Sequence, residues 1–148
     1  MPSTTGRRSQ RRILEATIAA SLLSAAPSGL GAVHRDGVRG MWRYGLRATR
    51  SIGTLVPPGR PNLILGAVTH FGISAAFGQA LGRCLPHRQS ALWGAAGGAA
   101  MGLVGVGVIG RRFPAIRDLP FGLQLADNVA FGVIFAFVAD RPKGRSEA

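Results

Sequence analysis

Formal charge is confined to the gaps between long apolar stretches, and this constrains the chain more than any other feature. Residues 62–82, 90–110 and 121–139 hold a single formally charged side chain between them, Asp127. Each stretch approaches the roughly 20 residues that a helix needs to cross a hydrocarbon core of about 30 Å. Helices of a small soluble domain would instead carry a charged face every turn or two. With 148 residues, the chain has room for one domain. The sequence therefore predicts an all-α fold, a small transmembrane helical bundle. Residues 1–12 read as a basic N-terminal tail, 13–139 as the membrane domain and 140–148 as a polar C-terminal tail.

Residues 13–33 form a weaker candidate span. They carry Glu15 near the start and Pro27, Gly29 and Gly31 near the end. Their strongly apolar part, residues 16–26, is too short to cross alone. Proline is tolerated in a membrane helix when neighbours satisfy the freed carbonyl, so a poor but real span is the preferred reading. A cleaved signal peptide is the lesser alternative, with Arg7, Arg8, Arg11 and Arg12 as its basic region. Pro27, directly after Ser24, Ala25 and Ala26, would block cleavage there.

Counting basic residues does not orient a four-span chain, because nine fall on each side. If residues 13–33 do not cross, the split becomes thirteen against five, which favours three spans. The expectation carried forward is four spans, at 13–33, 62–82, 90–110 and 121–139.

The chain has 18 Lys and Arg against 6 Asp and Glu, a net charge of +12. A hydrophobic content of 47% excludes intrinsic disorder. The arginines flank apolar blocks and form no aromatic-rich basic groove, so nucleic acid is not an expected partner. The single cysteine, Cys84, excludes an intrachain disulfide framework and any Cys-based metal site.

Between the first two spans, Arg39, Arg43, Arg47 and Arg50 recur at three- and four-residue spacing. On a helix they share an arc of about 80°. Val38, Met41, Trp42, Ala48, Ile52 and Val56 are placed opposite, and Pro57 and Pro58 end the run. This predicts an interfacial amphipathic helix over residues 35–56, with the four arginines as candidate ligands of lipid headgroups.

Small residues at four-residue spacing mark the packing faces: Gly66, Ser74, Gly78 and Gly82 in one span, Gly94, Gly98 and Gly102 in the next, and Thr17, Ser21, Ala25 and Gly29 in the first. Such stripes let helix backbones approach closely and specify no chemistry. Gly105, Gly107 and Gly110 match the spacing of a dinucleotide-binding loop. They end an apolar run, with no strand before and no helix after, so no cofactor is expected.

Two ionisable residues lie at membrane depth, His70 and Asp127, and such residues are functional candidates by default. Gln124, Asp127 and Asn128 share one helix face. In an alternating topology His70 and Asp127 sit about 12 Å and about 9 Å from the same interface, at 1.5 Å per residue. They are therefore placed to meet, as a proton-relaying pair or as a polar clamp that fixes helix register. Asp127 facing a water-filled vestibule is the other arrangement. No catalytic motif is present, and a haem would need a second intramembrane ligand that His34 and His87, in loops, do not provide.

Three stretches carry a resemblance: residues 50–55 (RSIGTL), 110–117 (GRRFPAIR) and 124–132 (QLADNVAFG). In these the chain resembles a group of small uncharacterised multi-pass membrane proteins of actinobacterial type. The resemblance implies a bacterial inner (cell) membrane address and no established activity. Members often have His where this chain has Asn128, which weakens a proton relay at that position.

The leading expectation is a non-enzymatic structural or accessory membrane component. Its expected partners are membrane lipids, with a second copy or another membrane protein. The alternative is a small transporter or proton-coupled carrier using His70 and Asp127. A lipid-modifying enzyme ranks third, because no nucleophile or general base has a plausible partner.

Overall fold

A computed structural model describes residues 8–141. These residues form an all-α bundle, with no strand among them. Four helical stretches are long and apolar enough to cross a membrane: Gln10–Leu55, Leu63–Cys84, Ser90–Arg112 and Phe121–Ala139. This is the architecture of a multi-pass membrane protein.

The first stretch is not one rod. Helix α1 (Gln10–Leu23) starts at Ser9, whose hydroxyl accepts from the Arg12 N–H, and α2 (Ala26–Ile52) restarts after a break at Ser24 and Ala25. Pro27 causes the break: it has no N–H to give to the residue four positions back, and its ring crowds that carbonyl. A second interruption lies at Gly37, whose φ of 68° and ψ of −171° are accessible essentially to glycine alone. There α2 bends back on itself, so that Met41 packs on Gly29 and the Ala32 carbonyl lies beside Gly40. Residues 26–36 form its first arm and 38–52 its second. The expected span over 13–33 and surface helix over 35–56 are thus one broken, folded element running from residue 10 to residue 52.

The other spans are simpler. Asn62 caps α3 (Leu63–Cys84) by accepting from the Leu65 N–H at 2.9 Å. Helix α4 (Ser90–Val104) continues through a π-helical turn, Gly105–Ile109, into the short α5 (Gly110–Arg112). The glycine triplet 105, 107 and 110 is therefore helical wall, as expected of a sequence with no strand before it. After α6 (Pro114–Arg117), helix α7 (Phe121–Ala139) returns across the bundle.

Helix α7 is central. It packs on α4 along one side and on α1 along another, while α3 packs on α1 and α2. The α4–α7 contact is backbone on backbone. A Cβ on Gly94 would collide with the Gly132 carbonyl, one on Gly132 with the Gly94 carbonyl, and one on Gly98 with the Asn128 carbonyl. The glycine stripe of α4 thus fits against α7. The stripe of α3 works the same way, with Gly66 on the Thr49 carbonyl of α2, and Gly78 and Gly82 on Thr17 and Ile13 of α1. Ser74 is buried on the same face.

The hydrophobic core sits at one end, where Ile13, Ala16 and Ala20 meet Leu81, Phe131, Phe135 and Ala139. Outward-facing Ile64, Val68, Phe71, Leu92, Trp93, Val108 and Phe137 remain exposed, the surface expected of helices solvated by lipid.

The first stretch runs the length of the bundle. Arg8, at the start of α1, bonds the carbonyl of Leu85 after α3 and the carboxylate of Asp140 after α7. At the other end, Arg47 of α2 reaches the Asp118 carbonyl. The N-terminal end of α1 and the second arm of α2 therefore lie at opposite ends of the bundle, as a four-span arrangement requires.

Two outcomes follow. In intact cells, a membrane-impermeant maleimide labels native Cys84 and Arg11→Cys (in a Cys84→Ser background) from the same side. Labelling from opposite sides contradicts a first stretch that crosses. Separately, Gly94→Ala lowers stability by about 2 kcal/mol through overpacking, whereas Gly72→Ala, with open space around it, leaves stability unchanged or gains up to about 1 kcal/mol of helix propensity. Thermal unfolding in detergent measures both.

Candidate functional site

At the end opposite the core, α3 and α4 separate and leave a cavity of about 330 Å³. Ile73 and Phe77 of α3 wall one side, Met101, Gly105 and Ile109 of α4 and its π-turn another, and Phe131 of α7 the floor. The π-turn adds a residue to its helix, with the Gly110 N–H bonded to the Gly105 carbonyl, and such turns recur at functional sites. The second arm of α2 forms the roof through Tyr44, Ala48 and Ile52.

The polar residues at this end come from four elements. Ser24, Tyr44, His70, Gln124, Asp127 and Asn128 all border the cavity. The expected cluster on α7 is thus assembled, and His70 shares its space. His70 and Asp127 do not bond each other. The His70 ring meets Phe71 edge-on, with centroids 5.6 Å apart. Asp127 turns to the broken span: its Oδ1 accepts from the Ser28 main-chain N–H at 3.0 Å. Ser28 is in the first turn of α2, where N–H groups have no helical partner. Ala25, the cap residue, offers no side chain for them, so Asp127 caps α2 from a different helix.

The neighbouring amides also serve the backbone. Gln124 Nε2 donates to the carbonyls of Ile116 and Leu119, at 3.2 and 3.1 Å. Asn128 Nδ2 donates to the Gln124 carbonyl at 2.8 Å. Gln124 thereby fastens the α6 connection to α7. Among the described residues, no group of three or more His, Cys, Asp or Glu side chains is placed to hold a metal ion.

The arginine helix departs from expectation in two ways. First, only three of its arginines converge. Arg43, Arg47 and Arg50 line an outer groove of about 450 Å³ against Pro61, Ala115 and Asp118, and Arg39 is not among the lining residues. Second, its apolar residues split into two faces. Ala48 and Ile52 face the cavity with Tyr44, but Val38 and Trp42 point away from the protein, 61% and 66% exposed, with Leu46 following at the same four-residue spacing. The reason is the angular step. At about 100° per residue, Val38, Trp42 and Leu46 form a stripe beside the arginine arc, its centre about 120° from the centre of the roof residues.

Sequence reasoning did not find Arg8 or Tyr44. Arg8 looked like one more tail charge, yet it is 7% exposed. Its guanidinium holds Asp140 through two hydrogen bonds, at 2.8 and 3.0 Å, with His87 Nδ1 at 3.4 Å from the same carboxylate. Partial burial alone would raise the Asp140 pKa. The hydrogen bonds from Arg8 and Ser90, and the charges of Arg8 and His87, outweigh it and hold the carboxyl below its usual value. The one signal in the sequence was acidic Asp140 at a span end otherwise surrounded by basic residues.

No protein-family model, curated protein or solved structure matches the chain.

A carboxyl with a lowered folded-state pKa stabilises the fold above the ordinary carboxylate range, and that stability is lost as pH falls through the folded value. The melting temperature in detergent is therefore expected to fall on acidification below the usual carboxylate pKa. In Asp140→Asn this step is smaller, and stability at neutral pH is lower because Arg8 stays buried without its partner. An unchanged acid profile in Asp140→Asn contradicts the clamp.

Proposed function

We propose that this protein is a non-enzymatic structural or accessory component of the bacterial inner membrane. One observation carries the reading: the polar side chains of α7 at membrane depth, Gln124, Asp127 and Asn128, are engaged with main-chain atoms. Asp127 caps the broken first span, Gln124 fastens the α6 connection, and Asn128 bonds its own helix. These bonds fix helix geometry: Asp127 clamps the broken span, a structural task different from the expected His70–Asp127 pair.

Two further points support it. The glycine stripes are used inside the single chain, so association with a second copy or a partner protein falls to the outer faces, such as exposed Leu92 and Trp93 of α4. The membrane address draws on the all-α bundle and on the resemblance in residues 110–117 and 124–132. Closed β-barrels, not bundles, populate the outer membrane.

A carrier is the second reading, favoured by one fact: His70 and Asp127 border a common cavity. Substitution at Asp127 separates the two. Asparagine keeps an oxygen that can accept from Ser28 and abolishes the acid; alanine removes both. For a clamp, Asp127→Asn retains near-normal membrane level and melting temperature, while Asp127→Ala loses about 1–3 kcal/mol for the unsatisfied N–H. For a proton-coupled carrier, Asp127→Asn is folded yet as inactive as Asp127→Ala in proton or substrate flux across proteoliposomes. That result would overturn the accessory reading.

A further inference from the structure

We propose that the groove between the second arm of α2 and α6 binds the headgroup phosphate of an anionic phospholipid, with Arg43, Arg47 and Arg50 as its ligands. The inference rests on the membrane reading of the chain and not on the role of Asp127.

Charge is the first argument. Three guanidiniums form one wall of a groove of about 450 Å³. Among the described residues, no carboxylate lies within ion-pair distance of any of the three. The acidic residue in the groove, Asp118, has its carboxylate beside Arg117, 3.8 Å away. Arg47 is held over the groove by its bond to the Asp118 carbonyl at 3.5 Å. Three like charges gathered on one wall repel each other, and a bound anion relieves that repulsion. Phosphate oxygens suit the fork of an arginine, which gives two parallel N–H groups to one anion.

Position and polarity choose a lipid over a soluble anion. Pro61 directly precedes Asn62, the cap of α3, and Ala115 and Asp118 lie in the connection from α5 to α7. The groove is thus level with the ends of three spans, where headgroups sit. Beside the arginines runs the exposed pair Val38 and Trp42, 61% and 66% exposed, and Leu46 continues their line into the groove itself. Cations flanked by exposed apolar side chains match an amphiphile: the arginines take the phosphate and the apolar side chains lie against acyl chains. The roof face of the same arm, with Tyr44 and Ile52, is already occupied by the protein.

The test uses the full chain in phosphatidylcholine nanodiscs, with Trp93→Phe so that Trp42 is the reporter. Brominated phosphatidylglycerol, or brominated phosphatidylcholine as the neutral control, is titrated in, and Trp42 quenching is followed. Half-quenching is expected at a mole fraction about tenfold lower for phosphatidylglycerol. R43Q/R47Q/R50Q removes the preference, Arg39→Gln keeps it, and Asp118→Asn strengthens it by taking a carboxylate out of the groove. The proposal is overturned if the triple variant keeps the preference with an unchanged melting temperature. It is equally overturned if Arg39→Gln is as damaging as Arg47→Gln, which means diffuse surface charge. Competition by inorganic phosphate overturns the lipid assignment in favour of a soluble anion. If the triple variant does not fold, Asp118→Asn decides: tighter binding supports the site and unchanged binding refutes it. None of these outcomes depends on the Asp127 variants, so the two proposals fail separately.

Discussion

A main-chain N–H inside a bilayer has no water to bond, and leaving it unmatched costs several kcal/mol. The first span meets this requirement at its weakest point. Pro27 breaks the helix, the N–H of Ser28 is released, and the carboxylate oxygen of Asp127 receives it. The bond joins α2 to α7, the helix on which α4 and α1 also pack. It fixes where the first arm of α2 begins, hence where Gly37 turns the chain and where the second arm comes to rest over the cavity. An ionisable residue at depth is costly, and capping a broken neighbour is a structural reason to keep one.

The two ends of the bundle are built differently. At the Arg8 end, Ile13, Phe131, Phe135 and Ala136 close the core, and a buried guanidinium ties the start of α1 to the ends of α3 and α7. Glycine contacts draw α4 onto α7 and α3 onto α1 and α2, but no comparable stripe draws α3 onto α4. These helices approach where Leu81 meets Gly97 and separate beyond it. The cavity is therefore a consequence of which helix pairs own small residues. Polar groups gather there because the broken span and the α6 connection leave main-chain atoms that need partners.

The second arm of α2 divides its circumference among three tasks. Ala48 and Ile52 roof the cavity, the three arginines line the outer groove with Leu46, and Val38 and Trp42 stay exposed. Its placement depends on Gly37 at one end and on the contact of the Thr49 carbonyl with Gly66 at the other. A larger residue at either position would move the arm, and with it both surfaces.

The fold class, the last three spans and the packing role of the glycine stripes were legible in the sequence, because each follows from local composition and a fixed helical period. Segregated charge and apolar blocks of about 20 residues leave a bilayer helix as the economical solution. Gly66, Gly94 and Gly98 declare close packing whatever their partner. The partner itself is not a local property. Nothing within a few residues of Asp127 indicates that it bonds Ser28, 99 positions away, instead of His70 at matched depth. Arg8 could not be told from the other tail arginines, since its burial depends on Leu85 and Asp140 arriving beside it. The sequence by itself determined that the chain forms apolar helices separated by basic connections. Only the tertiary structure decided which helices touch, because pairing is set by long-range fit between backbones and by the search of freed N–H and C=O groups for partners.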